Sequence, residues 1–146
     1  MLPQVGYGQG EVVASPLRMA RIAAAIAIDG RLRDVRIDAA AASPVARPFL
    51  SPDTARTLAR YMRDVVLDGT GRSLRTSSIA VAGKTGTAEV GGAPSHSWFI
   101  GFAPYGAGTR RVAVAAILEN AGYGGAAAAP AAGEIIAAAA ALGLAR

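Results

Sequence analysis

The 146-residue sequence has no cysteine and holds one histidine (His96), one lysine (Lys84) and one asparagine (Asn120). Without cysteine, disulfide frameworks and thiolate metal sites are excluded. A lone histidine among scattered carboxylates shows no ligand spacing, so neither a metal nor a cofactor is expected. Ser95 and Ser97 flank His96 directly. Adjacent residues of an extended chain point to opposite faces, so no Ser-His dyad is expected there and His96 reads as a polar turn residue. Aromatic residues make up only 5% of the chain, and they do not alternate with the arginines. The net charge of +5 is therefore not read as a nucleic-acid footprint; only Arg31, Arg33 and Arg36 crowd together, with Asp29, Asp34 and Asp38 among them. No long hydrophobic run is present either. The most apolar stretch, residues 126–144, is interrupted by Pro130, Gly133 and Glu134 and is mostly alanine, a poor membrane span. The opening Met1-Leu2-Pro3-Gln4 shows neither a basic nor an apolar leader region, so no signal peptide is expected.

What is present describes a folded chain: 52% hydrophobic residues against 17% charged, in a length that suits one domain. Gly6-Tyr7-Gly8-Gln9-Gly10 reads as a loop. Ser15-Pro16 opens a helix, serine as N-cap and proline in the first turn, and Asp29-Gly30 closes it, predicting a helix over about 16–28. Its apolar surface is expected to run through Leu17, Met19, Ala20, Ala24, Ile26 and Ile28. Residues 31–50 read as short extended pieces and loop. Ser51-Pro52-Asp53 repeats the helix-start device, Leu58, Tyr61, Met62 and Val65 mark one buried stripe, and Asp68-Gly69-Thr70-Gly71 ends this second helix. The period then changes. Strands are predicted over 79–90, 97–103 and 111–118, joined by the turns Gly91-Gly92-Ala93-Pro94 and Tyr105-Gly106-Ala107-Gly108, which are too short for anything but antiparallel pairing. An alanine-rich helix is expected over about 130–142. The fold class is thus α+β, a three-stranded antiparallel sheet packed against helices.

Two glycine-rich stretches invite nucleotide readings. Gly83-Lys84-Thr85 lacks the glycine five residues earlier, where Ser78 stands, and Gly86, Thr87, Val90, Gly91 and Gly92 follow instead of a helix. Gly122-Tyr123-Gly124-Gly125-Ala126-Ala127 resembles a dinucleotide fingerprint, yet no further strand with an acidic residue follows it; it reads as a loop entering the last helix. Glu119-Asn120 reads as a solvated strand end. Lys84, the one lysine in a chain that otherwise uses arginine, marks a position suited to a compact ammonium.

Lys84-Thr85-Gly86-Thr87 resembles the third motif of the serine penicillin-binding proteins and their β-lactamase relatives, in which S-x-x-K and S-x-N precede K-T-G. Residues 8–20, from Gly8-Gln9-Gly10 through Ser15-Pro16 to Met19-Ala20, are similar to that family's segment leading into a helix. Ser97-Trp98-Phe99-Ile100-Gly101-Phe102-Ala103-Pro104 is similar to the strand that follows its K-T-G strand. Order and spacing match across nearly the whole chain, closest to the class B transpeptidases. Neither of the first two motifs is here: Val81 stands three positions before Lys84, and Leu118 two positions before Asn120. The resemblance therefore implies that residues 1–146 are the C-terminal portion of a penicillin-binding D,D-transpeptidase domain, catalytically inactive alone, whose parent is anchored upstream at the extracytoplasmic face of the bacterial membrane. It implies stem peptide and β-lactams as the parent's partners. It also implies that Lys84 supplies positive potential, that Thr85, Gly86 and Thr87 bind substrate with Lys84, and that the Thr87 backbone N–H is an oxyanion-hole donor. The alternative is a stand-alone, non-catalytic module of the same fold that binds cell-wall peptides or proteins. Half of a domain folding alone exposes apolar surface, so self-association is expected.

Overall fold

The computed structural model describes residues 2–106 and 110–146. Ser15 caps the first long helix, α2 (Pro16–Ala27), its Oγ accepting the Arg18 N–H at 3.2 Å. It follows a single turn of helix, α1 (Leu2–Val5), not anticipated from the glycine-rich opening. Helix α2 ends where Asp29 and Gly30 take positive φ. Two short strands, β1 (Arg31–Leu32) and β2 (Arg47–Pro48), then pair antiparallel. Ser51 caps α3 (Pro52–Leu67) in the same way, with its Oγ 3.1 Å from the Thr54 N–H. A 3-10 turn (Arg72–Leu74), which the sequence did not announce, leads to β3 (Ala82–Val90), β4 (Ala93–Ala103), β5 (Val112–Leu118) and finally α4 (Ala128–Ala141).

The three long strands form one antiparallel sheet in the order β3-β4-β5, as expected. Several boundaries differ. Residues 79–81 precede the first strand rather than opening it. The first turn is Gly91-Gly92 alone, with Gly92 at φ +72°, so Ala93 and Pro94 already belong to β4. His96 consequently lies in β4 opposite Ala88 and is not a turn residue; its Nδ1 accepts the Asn120 N–H at 3.0 Å. Ala107 and Gly108 of the second expected turn lie outside the described residues.

The sheet separates two clusters. On one face Ala82 and Phe102 meet Ile26 of α2 and Met62 of α3, with Ile22, Leu58 and Ile100 around them. On the other, Val81, Phe99, Val114 and Ala116 meet Ala128, Ala129, Ala132 and Ile136 of α4 and its approach, together with Val66 and Leu74. This sets the buried helix faces, and both differ from the expected stripes. On α2 the buried residues are Ala23, Ala25 and Ile26, and Leu17 is exposed. On α3 they are Ala55, Met62 and Val66; Tyr61 faces outward, where the Arg60 guanidinium lies 5.5 Å from its ring centroid. The stripe rotates because α3 contributes to both clusters and must aim between them. No helix among the described residues is long and apolar enough to cross a membrane.

Phe99 fixes how closely β3 and β4 approach. Gly83 and Gly101 are cross-strand partners, and the fully buried Phe99 ring covers both. A Cβ on Gly83 would lie 2.1 Å from Phe99 Cζ, and one on Gly101 would lie 2.8 Å from Cε1. The glycine before Lys84 thus makes room for the core, on the face opposite the lysine side chain. Gly83→Ala is expected to cost about 1–3 kcal/mol in urea unfolding. Combined with Phe99→Leu it should cost clearly less than the sum of the two single changes, since the ring is what the new methyl meets; strict additivity would refute this packing account.

Candidate active-site wall

Strand β3 is an edge strand, so one row of its backbone groups faces away from β4. Its start is covered by the Arg63 guanidinium of α3, which donates to the Val81 carbonyl at 2.7 Å. Its end is covered by Gln9, whose Nε2 donates to the Thr87 carbonyl at 3.0 Å. Between them lie the four residues singled out in the sequence. Lys84 is exposed and folds back along the edge, Nζ donating to the Thr85 carbonyl at 2.6 Å. No ion pair to Lys84 occurs among the described residues.

The carbonyls of Thr85 and Thr87 therefore both point to the open edge. In extended backbone the N–H and C=O of one residue lie on the same side, so the Thr87 N–H points to that edge too. Side chains alternate across the sheet. Lys84 and Gly86 face the α2 side, with Trp98 and Ile100; Thr85 and Thr87 face the α4 side. A cavity of about 300 Å³ lies along the edge, bounded by Tyr7, Val12, Met19, Trp98 and all four residues Lys84 to Thr87. A second hollow of about 780 Å³ opens on the Thr85 and Thr87 side, against Asp68, Arg72, Ser73 and Tyr123. All four expected site residues are thus brought to one edge.

Two loops set the threonine side chains. Thr85 is buried, and its hydroxyl pairs with that of Thr70 at 2.5 Å. Thr70 belongs to the tetrapeptide that closes α3, and its local sequence signals only a helix stop. The loop before α4 presses onto the same face. Ser97, fully buried in β4, donates from Oγ to the Tyr123 carbonyl at 3.1 Å and accepts the Ala128 N–H at 2.9 Å. Gly124 then approaches so closely that a Cβ there would lie 2.4 Å from both the Gly86 and Trp98 carbonyls, and its N–H reaches Thr87 Oγ1 at 3.4 Å. The glycines at 122–125 thus serve this backbone approach, and the stretch is a loop entering the last helix, as read. Thr70, Ser97 and Gly124 were missed as site-shaping residues, since nothing local in sequence ties them to β3. Among the described residues no cluster of His, Asp and Glu lies close enough to hold a metal ion.

Residues 2–137 match the family described as the penicillin-binding protein transpeptidase domain. The chain belongs to this family. It is 33% identical to the peptidoglycan D,D-transpeptidase MrdA of Haemophilus influenzae, over 90% of this chain and 24% of that protein. It is 35% identical to the peptidoglycan D,D-transpeptidase PbpA of Mycolicibacterium smegmatis, over 84% of this chain and 28% of that protein. Among solved structures, PBPA of Mycobacterium tuberculosis superposes with a TM-score of 0.79 at 30% identity, covering 94% of this chain and 35% of that one. An imipenem acyl-enzyme complex of penicillin-binding protein A from M. tuberculosis matches with a TM-score of 0.72 at 30% identity, over 94% and 33% of the two chains. The chain spans roughly a quarter of the length of the curated relatives it matches. These transpeptidase-domain neighbours agree with the α+β architecture, a sheet packed against helices.

The Thr70–Thr85 contact yields a prediction for this family member. Thr70→Val keeps the shape but leaves a buried hydroxyl without its partner, and is expected to lower stability by about 1 kcal/mol. Thr70→Ser should stay within about 0.5 kcal/mol of the parent in the same denaturation measurement. Equal stability of all three proteins would remove Thr70 from the site.

Proposed function

We propose that residues 1–146 are the C-terminal portion of a penicillin-binding D,D-transpeptidase domain, and that they supply the β3 wall of its acyl-transfer site. The observation that carries this reading is the orientation of Thr87. Its carbonyl points to the open edge, and its N–H shares that side, beside an exposed ammonium and the buried Thr85 hydroxyl. The substrate would be the D-Ala-D-Ala stem peptide of peptidoglycan, or a β-lactam that mimics it, at the outer face of the cell membrane.

In this mechanism a serine elsewhere in the domain attacks the carbonyl between the two D-Ala residues, the amide bond breaks and the terminal D-Ala leaves with a proton on its nitrogen, and an acceptor amine then displaces the serine hydroxyl from the acyl group. The Thr87 N–H stabilises the oxyanion that develops at the attacked carbonyl, a contact worth about 10²–10³ in rate. Lys84 supplies positive potential to the cleft and to the substrate carboxylate. The Thr85 and Thr87 hydroxyls are donors to that carboxylate, and the Thr70 contact holds the first of them in place. The chain contains no S-x-x-K serine, because its one lysine follows Val81 by three positions. Covalent chemistry by these residues alone is not expected.

Exposure to a fluorescent penicillin, read as covalent mass, tests this directly. The 146-residue chain should remain unlabelled, and a longer polypeptide that joins it to an S-x-x-K segment should be acylated. In that polypeptide Lys84→Ala should slow acylation on the order of 10²-fold, the scale of one preorganised electrostatic contact. Labelling of the short chain would mean that another nucleophile acts here, which would sink the division of labour proposed. Exposed apolar residues point to one more property of the isolated chain: Tyr7, Val12, Val13 and Leu17 are all uncovered. Light scattering is expected to find a dimer or larger species; a clean monomer at high concentration would contradict it.

A further inference from the structure

Gln9 stands 78 positions before Thr87 in sequence, yet its carboxamide bonds β3 at two points. Nε2 donates to the Thr87 carbonyl at 3.0 Å, and Oε1 accepts the Glu89 N–H at 3.3 Å. That is the donor-and-acceptor pair a neighbouring strand would supply, delivered here by one side chain. The location matches a defect in the sheet. Pairing of β3 with β4 runs regularly from Ala82↔Phe102 to Ala88↔His96, then jumps to Val90↔Ala93. Glu89 has no partner in that register, and the skipped stretch of β4 contains Pro94, which has no N–H to give. Two residues of β4, Pro94 and Ser95, thus stand against the single Glu89, so the bulge lies in β4 and locally disrupts the ladder that would hold the end of β3. Thr87 therefore sits two residues before the point where the ladder stops constraining β3, and the Gln9 carboxamide straddles that point.

We propose that Gln9 is a positioning residue for the reaction: by bracing the end of β3 that lies opposite the β4 bulge it holds the Thr87 backbone so that its N–H faces the cleft. This role rests on the reading of the chain as part of a penicillin-binding transpeptidase. The same contact engages a carbonyl that would otherwise present an unpaired acceptor where negative charge develops. Gln9 touches no reacting atom; it acts through Thr87.

Two measurements test the brace and the role separately. In the 146-residue chain, Gln9→Ala should speed hydrogen exchange of the Glu89 amide roughly fivefold to tenfold, the scale of one lost hydrogen bond, while the Phe99 amide in β4 is unaffected. Unchanged exchange at Glu89 overturns the brace. In the longer polypeptide with its S-x-x-K serine, Gln9→Ala should slow penicillin acylation roughly tenfold, less than outright loss of an oxyanion donor. Gln9→Glu separates positioning from space-filling. A protonated carboxyl can donate to Thr87 and accept from Glu89, whereas an ionised one can only accept. The acylation rate of Gln9→Glu relative to wild type should approach one at low pH and fall as the introduced carboxyl ionises. Tyr7 and Lys84 on the cavity wall, and Glu11 and Glu89 nearby in sequence, are common to both proteins, so their own titration largely cancels in that ratio. A ratio flat with pH, or Gln9→Ala acylated at the wild-type rate, overturns the positioning role. Wild-type polypeptide that takes no penicillin overturns the transpeptidase reading instead, and the exchange measurement still decides the brace.

Discussion

The whole arrangement depends on keeping part of one strand edge unpaired. Exposed strand edges invite pairing with other chains, and proteins cover them or keep them short. Here β3 is covered at its start by the Arg63 guanidinium and at its end by the Gln9 carboxamide. Within the open interval Lys84 folds back onto the Thr85 carbonyl. The Val81, Thr85 and Thr87 carbonyls are thereby met by the chain's own donors, and the Thr87 N–H is left on the open side. An edge prepared in this way favours a negatively charged or developing-negative group over an ordinary strand, which would need both donors and acceptors.

Such an edge is useful only if it stays rigid, and rigidity comes from behind it. Phe99 lies over Gly83 and Gly101, so β3 and β4 are locked by a ring that tolerates no side chain beneath it. Gly124 presses on the same sheet three pairs further along, opposite Gly86 and Trp98, and buried Ser97 ties that loop to the start of α4. Close backbone approach confers precision that longer side chains would not, because packed cores deform little. The cost is local sensitivity: each of these glycines sits where a single methyl group meets backbone or ring.

Much of this was legible in sequence, for identifiable reasons. Ser15-Pro16 and Ser51-Pro52 announced both long helices because capping is a local interaction that needs only neighbouring residues. The antiparallel order of β3, β4 and β5 followed from connections too short to cross over. The four candidate site residues lie together because they are consecutive on one strand. The buried faces of α2 and α3 were misjudged, since which side of a helix is covered depends on partners distant in sequence: Leu17 and Tyr61 are good core residues that meet no core. Pro94 signals a turn in sequence, because a proline among the first residues of a strand such as β4 is an exception to the usual rule. Gln9 and Thr70 were invisible as site residues for the same reason, their partners lying 78 and 15 positions away.

A wall built from backbone groups also explains why the site carries so little charge. In the role proposed for it Thr87 would act through an N–H that every non-proline residue possesses, so its identity says less than its place on the edge. What the sequence must specify is the geometry around it: small residues at Gly83, Gly86 and Gly124 for close approach, a buried Thr85 hydroxyl with its partner, and one ammonium where an arginine-rich chain otherwise has none. A planar guanidinium at Lys84 would carry the same charge but spread it over a rigid fork, poorly suited to curl along the edge onto the Thr85 carbonyl. The lone lysine and the dense glycines thus follow from one requirement, a narrow strand edge whose backbone faces outward and whose flanks are filled by neighbours rather than by its own side chains.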